Sequence, residues 1–553
     1  MTLTTSGRRF ESSAPRHLHA LRTYIMVPLV PGRVRRVRVR TRVVAALSVV
    51  ALTVALAAVV ATPAGANPAK PARRKASPWA PDQPGVQHLH FKYGPIDIQP
   101  GQNNISFSEG QVPKPTEDGY IVGIHPNLRT KDGKVPPVDV IHLHHGVWLN
   151  QSAERDRSRG VPNFFAAGEE KTIMKLPTGY GYPYKASDNW LLNYMIHDLT
   201  PGPYQVWITY DIDFVPSSSP AAQQITPARP IWMDVQNGSI YPVFDVIKGA
   251  GTNGTFTYPD QANDPYGSGR QKNVVRVDRD SVLLGTAGHL HPGGLHDDLY
   301  VDRPGATGAP GSSVVAGKPD TAHLFRSVAD YFEPAGAVSW DVSMTATPPN
   351  WRVQVHEGDM LRINTTYESK RASWYESMGI MIVWATDGTN GRDPFTTKVD
   401  TKGELTHGHL PENNHHGGQK VALPNPTKFA GTDASAVGID NFLYGVGDAT
   451  GKRQIPKVKA GQSITFTNND ATKDPNGIWH SITACRAPCN KETGVAYPLA
   501  DSSVQFDSGQ LGAAGPPSAG RVTWDTPADL KPGTYTYFCR IHPFMRGAFQ
   551  VAG

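Results

Sequence analysis

Sulfur and nitrogen donors stand close together near the C-terminal end of the chain. Cys539, His542 and Met545 follow one another at intervals of three residues. A thiolate, an imidazole and a thioether, completed by one more imidazole, form the His2Cys set with a weak axial Met that holds blue copper. His480 comes after a turn at 468–470 and is the expected second imidazole. The sequence therefore predicts a type 1 copper site made of His480, Cys539, His542 and Met545.

Further metal-binding side chains occur in short apolar segments of the N-terminal two-thirds of the chain. They are His142, His144, His145, His197, His289, His291 and Met378. Because side chains alternate between the faces of a strand, His142 and His144 should share one face and His145 the other. The His289 and His291 pair can chelate one ion for the same reason. Each feature also has a structural alternative, in which a strand histidine is a hydrogen-bonded core residue and a methionine fills a gap in the core.

The elements that carry these residues are predicted to be short β-strands. The chain of 553 residues contains 54 Gly and 48 Pro, a density that favours strands joined by turns over a helical bundle. Apolar and polar residues alternate in short runs from about Gly431 to Gly553, as in an antiparallel β-sandwich. Residues 85–400 show the same pattern over a length that suits two sandwiches, so the predicted fold is all-β.

Six segments are expected along the chain. They are a leader at 1–66, a linker at 67–84, β-sandwiches at 85–235 and 236–400, a His-rich linker at 401–429 and a third sandwich at 430–553.

The leader accounts for most of the net charge of +6. Residues 1–66 hold ten Arg and one acidic residue, so the remainder is slightly acidic and offers no electrostatic footprint for nucleic acid. A basic run ending at Arg42, an uncharged stretch from Val43 to Ala61 and the small residues at 64–66 have the layout of a secretory signal peptide. We expect a secreted or cell-surface protein, and the alternative is a leader retained as a membrane anchor. In an oxidising compartment Cys485 and Cys489 are close enough to pair.

The loop at 539–545 is similar to that of the cupredoxins, the family of amicyanin, plastocyanin and azurin. This resemblance covers residues 430–553 and implies that His480, Cys539, His542 and Met545 bind type 1 copper. A multicopper oxidase would carry histidines on both sides of the cysteine, whereas Phe538 and Arg540 flank Cys539 here. The segment between His480 and Cys539 is longer than in small cupredoxins.

The order of the remaining donors resembles that of the copper type II, ascorbate-dependent monooxygenases, the family of peptidylglycine alpha-hydroxylating monooxygenase. The resemblance covers residues 85–400 and implies two jelly-roll domains with one copper each. His144, His145 and His197 would hold the electron-storing copper, and His142 could replace His145. The catalytic copper, which meets dioxygen and hydroxylates substrate, would be held by His289, His291 and Met378. The region departs from the family in containing no cysteine.

Together these segments predict an exported copper oxidoreductase with its own electron-transfer domain. Its implied partners are an external electron donor, either ascorbate or a redox protein, and a small-molecule or peptide substrate. The alternative is a non-enzymatic electron-transfer or copper-carrier protein. The histidines from His407 to His416 fit either a polar linker or an additional metal or docking site between the domains.

Overall fold

The computed structural model confirms the all-β prediction. It describes residues 83–102, 105–152, 163–236, 242–267, 269–418, 425–451, 454–473, 478–485, 494–500, 504–515 and 518–553. Within these ranges the regular elements are β-strands and short 3-10 turns. They form three consecutive β-sandwiches, which we call the first, second and third sandwich.

The strands of the first sandwich are β1 (Gln87–Ile98), β2 (Ile105–Phe107), β3 (Gly119–Thr130), β4 (Ile141–Asn150), β5 (Asn163–Gly168), β6 (Met174–Lys175), β7 (Tyr180–Tyr184), β8 (Trp190–Asp198), β9 (Tyr204–Pro216) and β10 (Thr226–Pro227). The strands of the second are β11 (Arg229–Asp234), β12 (Phe244–Val246), β13 (Thr255–Tyr258), β14 (Val274–Arg276), β15 (Ser281–Gly285), β16 (Gly288–His289), β17 (Gly294–Asp302), β18 (Val314–Val315), β19 (Lys318–Tyr331), β20 (Val342–Ala346), β21 (Val353–Val355), β22 (Met360–Glu368), β23 (Trp374–Ser377), β24 (Ile380–Asp387) and β25 (Glu404–Leu405). The strands of the third are β26 (Ala430–Asp433), β27 (Ala436–Ile439), β28 (Gln454–Lys459), β29 (Thr465–Asn468), β30 (Thr483–Cys485), β31 (Phe506–Asp507), β32 (Ala514–Gly515), β33 (Ser518–Ala519), β34 (Thr523–Asp525), β35 (Gly533–Phe538) and β36 (Arg546–Ala552). The 3-10 turns are η1 (Pro220–Gln224), η2 (Pro426–Lys428), η3 (Gly445–Gly447), η4 (Asn469–Thr472) and η5 (Pro498–Ala500).

The first two sandwiches have the strand order of a jelly roll. In the first, the sheets run β1-β9-β3-β7-β10 and β2-β8-β4-β5, so β1 lies beside β9 and β2 beside β8. The second repeats this arrangement with sheets β11-β24-β15-β21 and β13-β22-β17-β19-β20-β25. The two predicted jelly rolls are therefore confirmed. In the third sandwich a six-stranded sheet, β26-β28-β36-β35-β30-β31, accompanies the sheet β27-β29-β34.

Strand alternation explains why these segments form sandwiches. Along β9 every second side chain is fully buried, and these are Val206, Ile208, Tyr210, Ile212 and Phe214. One face of the strand thus supplies the core of the first sandwich, while Asp211, which lies between two of these residues, is exposed.

The three cores share residues across their borders. Val282, Leu284 and Trp384 of the second sandwich belong to the core of the first. Tyr497 and Phe538 of the third belong to the core of the second. Strand β11 lies before the expected boundary at 235, yet it pairs with β24 in the second sandwich. The sandwiches are consequently packed on one another, and side chains from different sandwiches can meet.

The leader predicted at 1–66 lies outside the described residues, and so does Cys489, the expected partner of Cys485. No helix of the described ranges is long and apolar enough to cross a membrane.

Candidate metal centres

The C-terminal donor set lies on one loop and one neighbouring segment of the third sandwich. Cys539 directly follows β35, and β36 begins one residue after Met545. The intervening loop is closed by hydrogen bonds from the Cys539 N–H to the Met545 carbonyl (3.3 Å) and from the Met545 N–H to the His542 carbonyl (2.9 Å). His480 lies just before β30, which pairs with β35. The topology therefore brings His480 beside the loop.

The donor atoms of this set are mutually close. Cys539 Sγ lies 3.8 Å from His480 Nδ1 and 3.7 Å from His542 Nδ1, and the two nitrogens are 3.1 Å apart. Metal–ligand bonds of roughly 2.0–2.3 Å in a trigonal site place the donors about 3.5 Å from one another. Met545 is buried in the same core cluster as Cys539. The residues present thus fit a His2Cys site with a methionine beside it.

Surrounding groups hold these donors in the form that binds metal. The Nε2–H of His480 donates to Asp470 Oδ2 at 2.9 Å, which leaves Nδ1 facing the sulfur. The Cys539 sulfur accepts backbone N–H groups from Ser481 (3.3 Å) and His542 (3.4 Å). Burial alone would raise the pKa of the Cys539 thiol, but the hydrogen bond and charge of His480 lower it below its usual value. The environment therefore favours the thiolate.

A second group of histidines lies on two paired strands of the first sandwich. His142 on β4 is directly opposite His197 on β8, and their rings are 5.2 Å apart between centroids. The register shifts between Leu143 and His145, so His144 is the extra residue of a β-bulge. The rings of both His142 and His144 pack on Trp340 of the second sandwich, with centroids 4.4 Å and 6.0 Å away.

The second sandwich supplies His289 from β16 and His291 from the turn that follows. The Nδ1–H of His289 donates to Glu170 Oε2 at 2.9 Å, and that of His291 donates to the Glu376 carbonyl at 2.5 Å. The Tyr367 hydroxyl accepts the N–H groups of His291 and Met378, both at 3.0 Å. His291 and Met378 are thereby held at one end of the sandwich.

The structure joins the two predicted histidine sets into one cluster across the sandwich border. The His144 and His291 rings are 4.3 Å apart between centroids, closer than His144 is to His145 or His197, both at 5.9 Å. One nitrogen of His144, one of His291 and a carboxylate oxygen of Glu169 all lie within 4.8 Å of one another. Sequence reasoning missed Glu169, because no spacing links it to a histidine.

The other predicted donors surround this trio. The Nε2–H of His145 donates to Asn193 Oδ1 at 3.1 Å. Met378 packs with Met195, Trp232 and Ile380. Thus His144 and His291 face each other directly, whereas His145, His197, His289 and Met378 border the same region.

Several imidazoles of the cluster have one nitrogen fixed and the other free of hydrogen bonds. The unbonded buried nitrogens, within the part of the chain that the structure describes, are His142 Nε2, His144 Nδ1, His197 Nδ1, His289 Nε2 and His291 Nε2. A histidine whose second nitrogen donates to a carboxylate or carbonyl presents an oriented lone pair, which is the usual arrangement of a metal ligand. The donor set of imidazoles and a carboxylate therefore fits copper.

Burial controls the charges in the cluster. It lowers the pKa of His144 and His291 far below the usual value, so both imidazoles are neutral. It raises the pKa of Glu169 to about 8, because the carboxylate has no solvent. Burial would also lower the pKa of His289, but the neighbouring Glu170 carboxylate raises it to about 9. A bound cation would stabilise the Glu169 carboxylate and release the proton of His289.

A cavity of about 100 Å³ opens beside the cluster. Its wall includes His144, His197, His291, Trp340, Tyr497 and Arg540, so all three sandwiches contribute. The Arg540 guanidinium stacks on Trp374 and Tyr375, 4.9 Å and 5.3 Å from the ring centroids. The cavity is small, and five aromatic side chains line it together with neutral imidazoles.

One hydrogen bond connects this cluster with the C-terminal donor set. The Nε2–H of His197 donates to the carbonyl of Ile541 at 2.7 Å. Ile541 is two residues after Cys539 and one before His542, and the rings of His197 and His542 are 6.5 Å apart between centroids. The two candidate centres are thus neighbours.

Comparisons with known proteins give distant matches. No protein-family model matches the chain, and no curated protein matches it. A purple cupredoxin from Nitrosopumilus maritimus aligns at 20% identity over 17% of this chain and 75% of its own, with a TM-score of 0.12. Two infectious bursal disease virus structures, of the Gx strain and of the VP2 subviral particle, align at 9% and 10% identity. They cover 58% and 60% of this chain and 78% and 80% of their own, each with a TM-score of 0.17. Because these TM-scores are low, the functional proposal below is based on the geometry of the donor residues.

Proposed function

We propose that this protein is an exported copper oxidoreductase in which the third sandwich, a cupredoxin-like domain, exchanges electrons with an oxygen-reactive centre between the two jelly rolls. The observation that carries the proposal is the bond from His197 to the Ile541 carbonyl, which ties the histidine cluster to the loop of Cys539 and His542. Copper, when bound, would supply one-electron redox chemistry at both donor sets.

The C-terminal residues are suited to rapid electron exchange. His480, Cys539 and His542 are completely buried, so the surrounding sheet fixes the donor geometry. The two N–H groups that point at the Cys539 sulfur stabilise the thiolate and tune the potential of the site. A path for electrons from this site toward the cluster would follow the three consecutive residues from Cys539 to Ile541 and then the hydrogen bond to His197.

The residues of the cluster could hold a metal ion beside a small bound molecule. His144 and His291 are neutral and line the cavity together with Trp340 and Tyr497. Glu169 lies beside His144 and His291 and carries a proton at neutral pH, because burial raises its pKa to about 8. Copper bound between these three residues would displace that proton, so Glu169 would act as a carboxylate ligand in the loaded protein. We assign the substrate to the class of small molecules with an apolar or aromatic body.

The proposal is tested with the copper-loaded full chain reduced by ascorbate and then mixed with O2. We expect the type 1 visible absorption to return quickly in the wild type, with O2 uptake that depends on the donor and increases with a substrate. His291→Ala and Met378→Ala should retain the visible absorption but lose most of the O2 uptake. His197→Phe should retain the type 1 copper and slow the return of the absorption, because it removes the hydrogen bond to the Ile541 carbonyl.

His356→Ala provides the matched control, because His356 is half exposed and pairs with Asp280 (3.2 Å) outside the cluster. It should behave as the wild type. Absence of O2 uptake with every donor, together with normal copper loading, would contradict the enzymatic proposal.

One observation favours the non-enzymatic alternative. The ion pair between His289 and Glu170 raises the pKa of His289 to about 9, which keeps this imidazole protonated and unable to ligate until copper displaces the proton. If that proton is retained, the cluster is a structural core and the third sandwich alone carries electrons. Copper stoichiometry separates the two cases, because one copper per chain without a type 2 paramagnetic signal leaves only the C-terminal site.

A further inference from the structure

Two histidines of the His-rich linker lie together on the second sandwich. After β25 the linker passes the segment that follows β19, and there the rings of His409 and His415 are 4.1 Å apart between centroids. Glu333 is buried beside them at 2% exposure. One nitrogen from each histidine and a carboxylate oxygen of Glu333 lie within 4.8 Å of one another. This trio does not overlap with either centre described above.

His409 is oriented as a metal ligand. Its Nδ1 lies against the carboxylate of Asp341, which is fully buried. Its Nε2 is buried and has no hydrogen-bond partner among the described residues. Phe332 packs against the ring, with centroids 6.2 Å apart. A buried carboxylate on one nitrogen and an unbonded second nitrogen are the arrangement that fixes a ligating imidazole.

His415 lies in a left-handed turn. Its φ is +64°, a region that few non-glycine residues adopt and in which Asn, Asp and His are enriched. The turn is fixed on both sides, since the Asn413 N–H donates to the Leu410 carbonyl (3.2 Å) and the His416 N–H donates to Asn414 Oδ1 (3.0 Å). The fixed turn places the His415 ring beside that of His409, with the ring centroids 4.1 Å apart.

The donor types define the ligand. Two imidazoles and a carboxylate contain no sulfur, so they suit Zn²⁺ or Cu²⁺ and not Cu⁺, which prefers thiolate and thioether. Three protein donors leave at least one coordination position for water. Because His415 is exposed, the ion can exchange with solvent.

We propose that Glu333, His409 and His415 form a further metal site that takes Zn²⁺ or Cu²⁺ and fastens the linker to the second sandwich. The linker residues that follow hold part of the third sandwich, since the Ala496 N–H donates to the Gly417 carbonyl at 2.9 Å. On the other side, Asn413 Oδ1 accepts the N–H of Val138 in the first sandwich at 3.1 Å. An ion bound at this site would therefore stabilise a segment that contacts all three sandwiches.

The test uses the full chain with its copper sites already loaded, followed by equilibrium dialysis against Zn²⁺ and elemental analysis. The variants are His409→Ala and His415→Asn, where Asn accepts the left-handed backbone without strain and removes the imidazole. His416→Ala is the matched control, because His416 is the adjacent exposed histidine and is not part of the trio. The type 1 visible absorption of each variant reports whether the chain is folded.

We expect the wild type and His416→Ala to bind one more Zn²⁺ than His409→Ala and His415→Asn. Amide hydrogen exchange at 407–416 should slow on addition of Zn²⁺ in the first two proteins only. In a parallel experiment with Cu²⁺ in place of Zn²⁺, the wild type and His416→Ala should gain a type 2 paramagnetic signal without visible colour. This result would show that the site accepts Cu²⁺ as well as Zn²⁺. Equal Zn²⁺ stoichiometry in all four folded proteins would overturn the proposal, as would unchanged exchange rates in the linker.

Discussion

Gly168 is the position where the packing of the histidine cluster can be tested most directly. A Cβ added there would lie 2.4 Å from the backbone oxygen of His144, 2.7 Å from Cε1 of His289 and 2.9 Å from Oε2 of Glu170. Relief of the first contact to 3.4 Å, the start of ordinary van der Waals contact, requires a movement of about 1 Å. Gly168 pairs with His145 across β4 and β5, so the strands themselves must separate.

Two magnitudes follow for Gly168→Ala. Overpacking of this size lowers the free energy of unfolding by about 1–3 kcal/mol. Displacement of the carboxylate that orients His289 should weaken copper binding at the cluster by roughly 10–100-fold, as for other groups behind a metal ligand. The C-terminal site has no residue in contact with Gly168 among the nearest atoms and should keep its affinity.

The assay measures both sites in the same sample. Visible absorption reports the type 1 site, and the paramagnetic signal at limiting copper reports the cluster. Gly202→Ala is the control, because the nearest atom to its Cβ, Thr200 Oγ1, is 3.8 Å away. Unchanged copper affinity and an unchanged type 2 signal in Gly168→Ala would refute the view that β4, β5 and His289 form one tightly packed site.

Three further results are expected. Cys539→Ser should abolish the type 1 absorption, because the thiolate is the ligand that gives the blue colour. Copper analysis should show that the histidine cluster still binds copper. Residual blue colour would contradict the assignment of Cys539. Asp470→Asn should weaken copper binding at the C-terminal site by roughly 10–100-fold, since the bond that fixes His480 is altered. Competition with a chelator would show no change if Asp470 only accepts the N–H groups of Asn441 and Phe442. In metal-free protein the folded state keeps the proton of Glu169 up to a pKa of about 8, whereas the unfolded chain loses it near 4.5. Between pH 4.5 and about 8, the free energy of unfolding of the wild type should therefore fall by about 1.4 kcal/mol per pH unit relative to that of Glu169→Gln, as measured by urea titration. Parallel pH profiles for the two proteins would exclude a buried neutral Glu169.

The parts of the molecule that the sequence predicted are those encoded locally. Cys539, His542 and Met545 lie on one loop, so their spacing alone indicates a shared site, and His480 is brought beside them by the pairing of β30 with β35. The all-β class follows from short alternating runs and frequent turns, whereas the jelly-roll form of the first two sandwiches was implied by the resemblance to the copper monooxygenases. Both kinds of information are contained in a few consecutive residues.

The centre between the jelly rolls depends on contacts that no local pattern encodes. His144 meets His291 because two sandwiches dock on each other, and the resemblance to a two-copper family suggested separate sets instead. Glu169 becomes a neighbour of both only because the end of β5 reaches the turn after β16. The bulge at His144 likewise depends on how β4 pairs with β8.

His542 is completely buried, with Phe442 at 4.9 Å between ring centroids on one side and His197 at 6.5 Å on the other. In a freestanding electron-transfer protein, such an imidazole would lie at the surface where soluble redox partners bind. Here that imidazole faces His197 of the same polypeptide, so under the proposed function electron exchange between the sandwiches would be unimolecular and independent of dilution. A soluble competitor cannot displace that neighbour, and an outside reductant has to reach the chain by some face other than this imidazole.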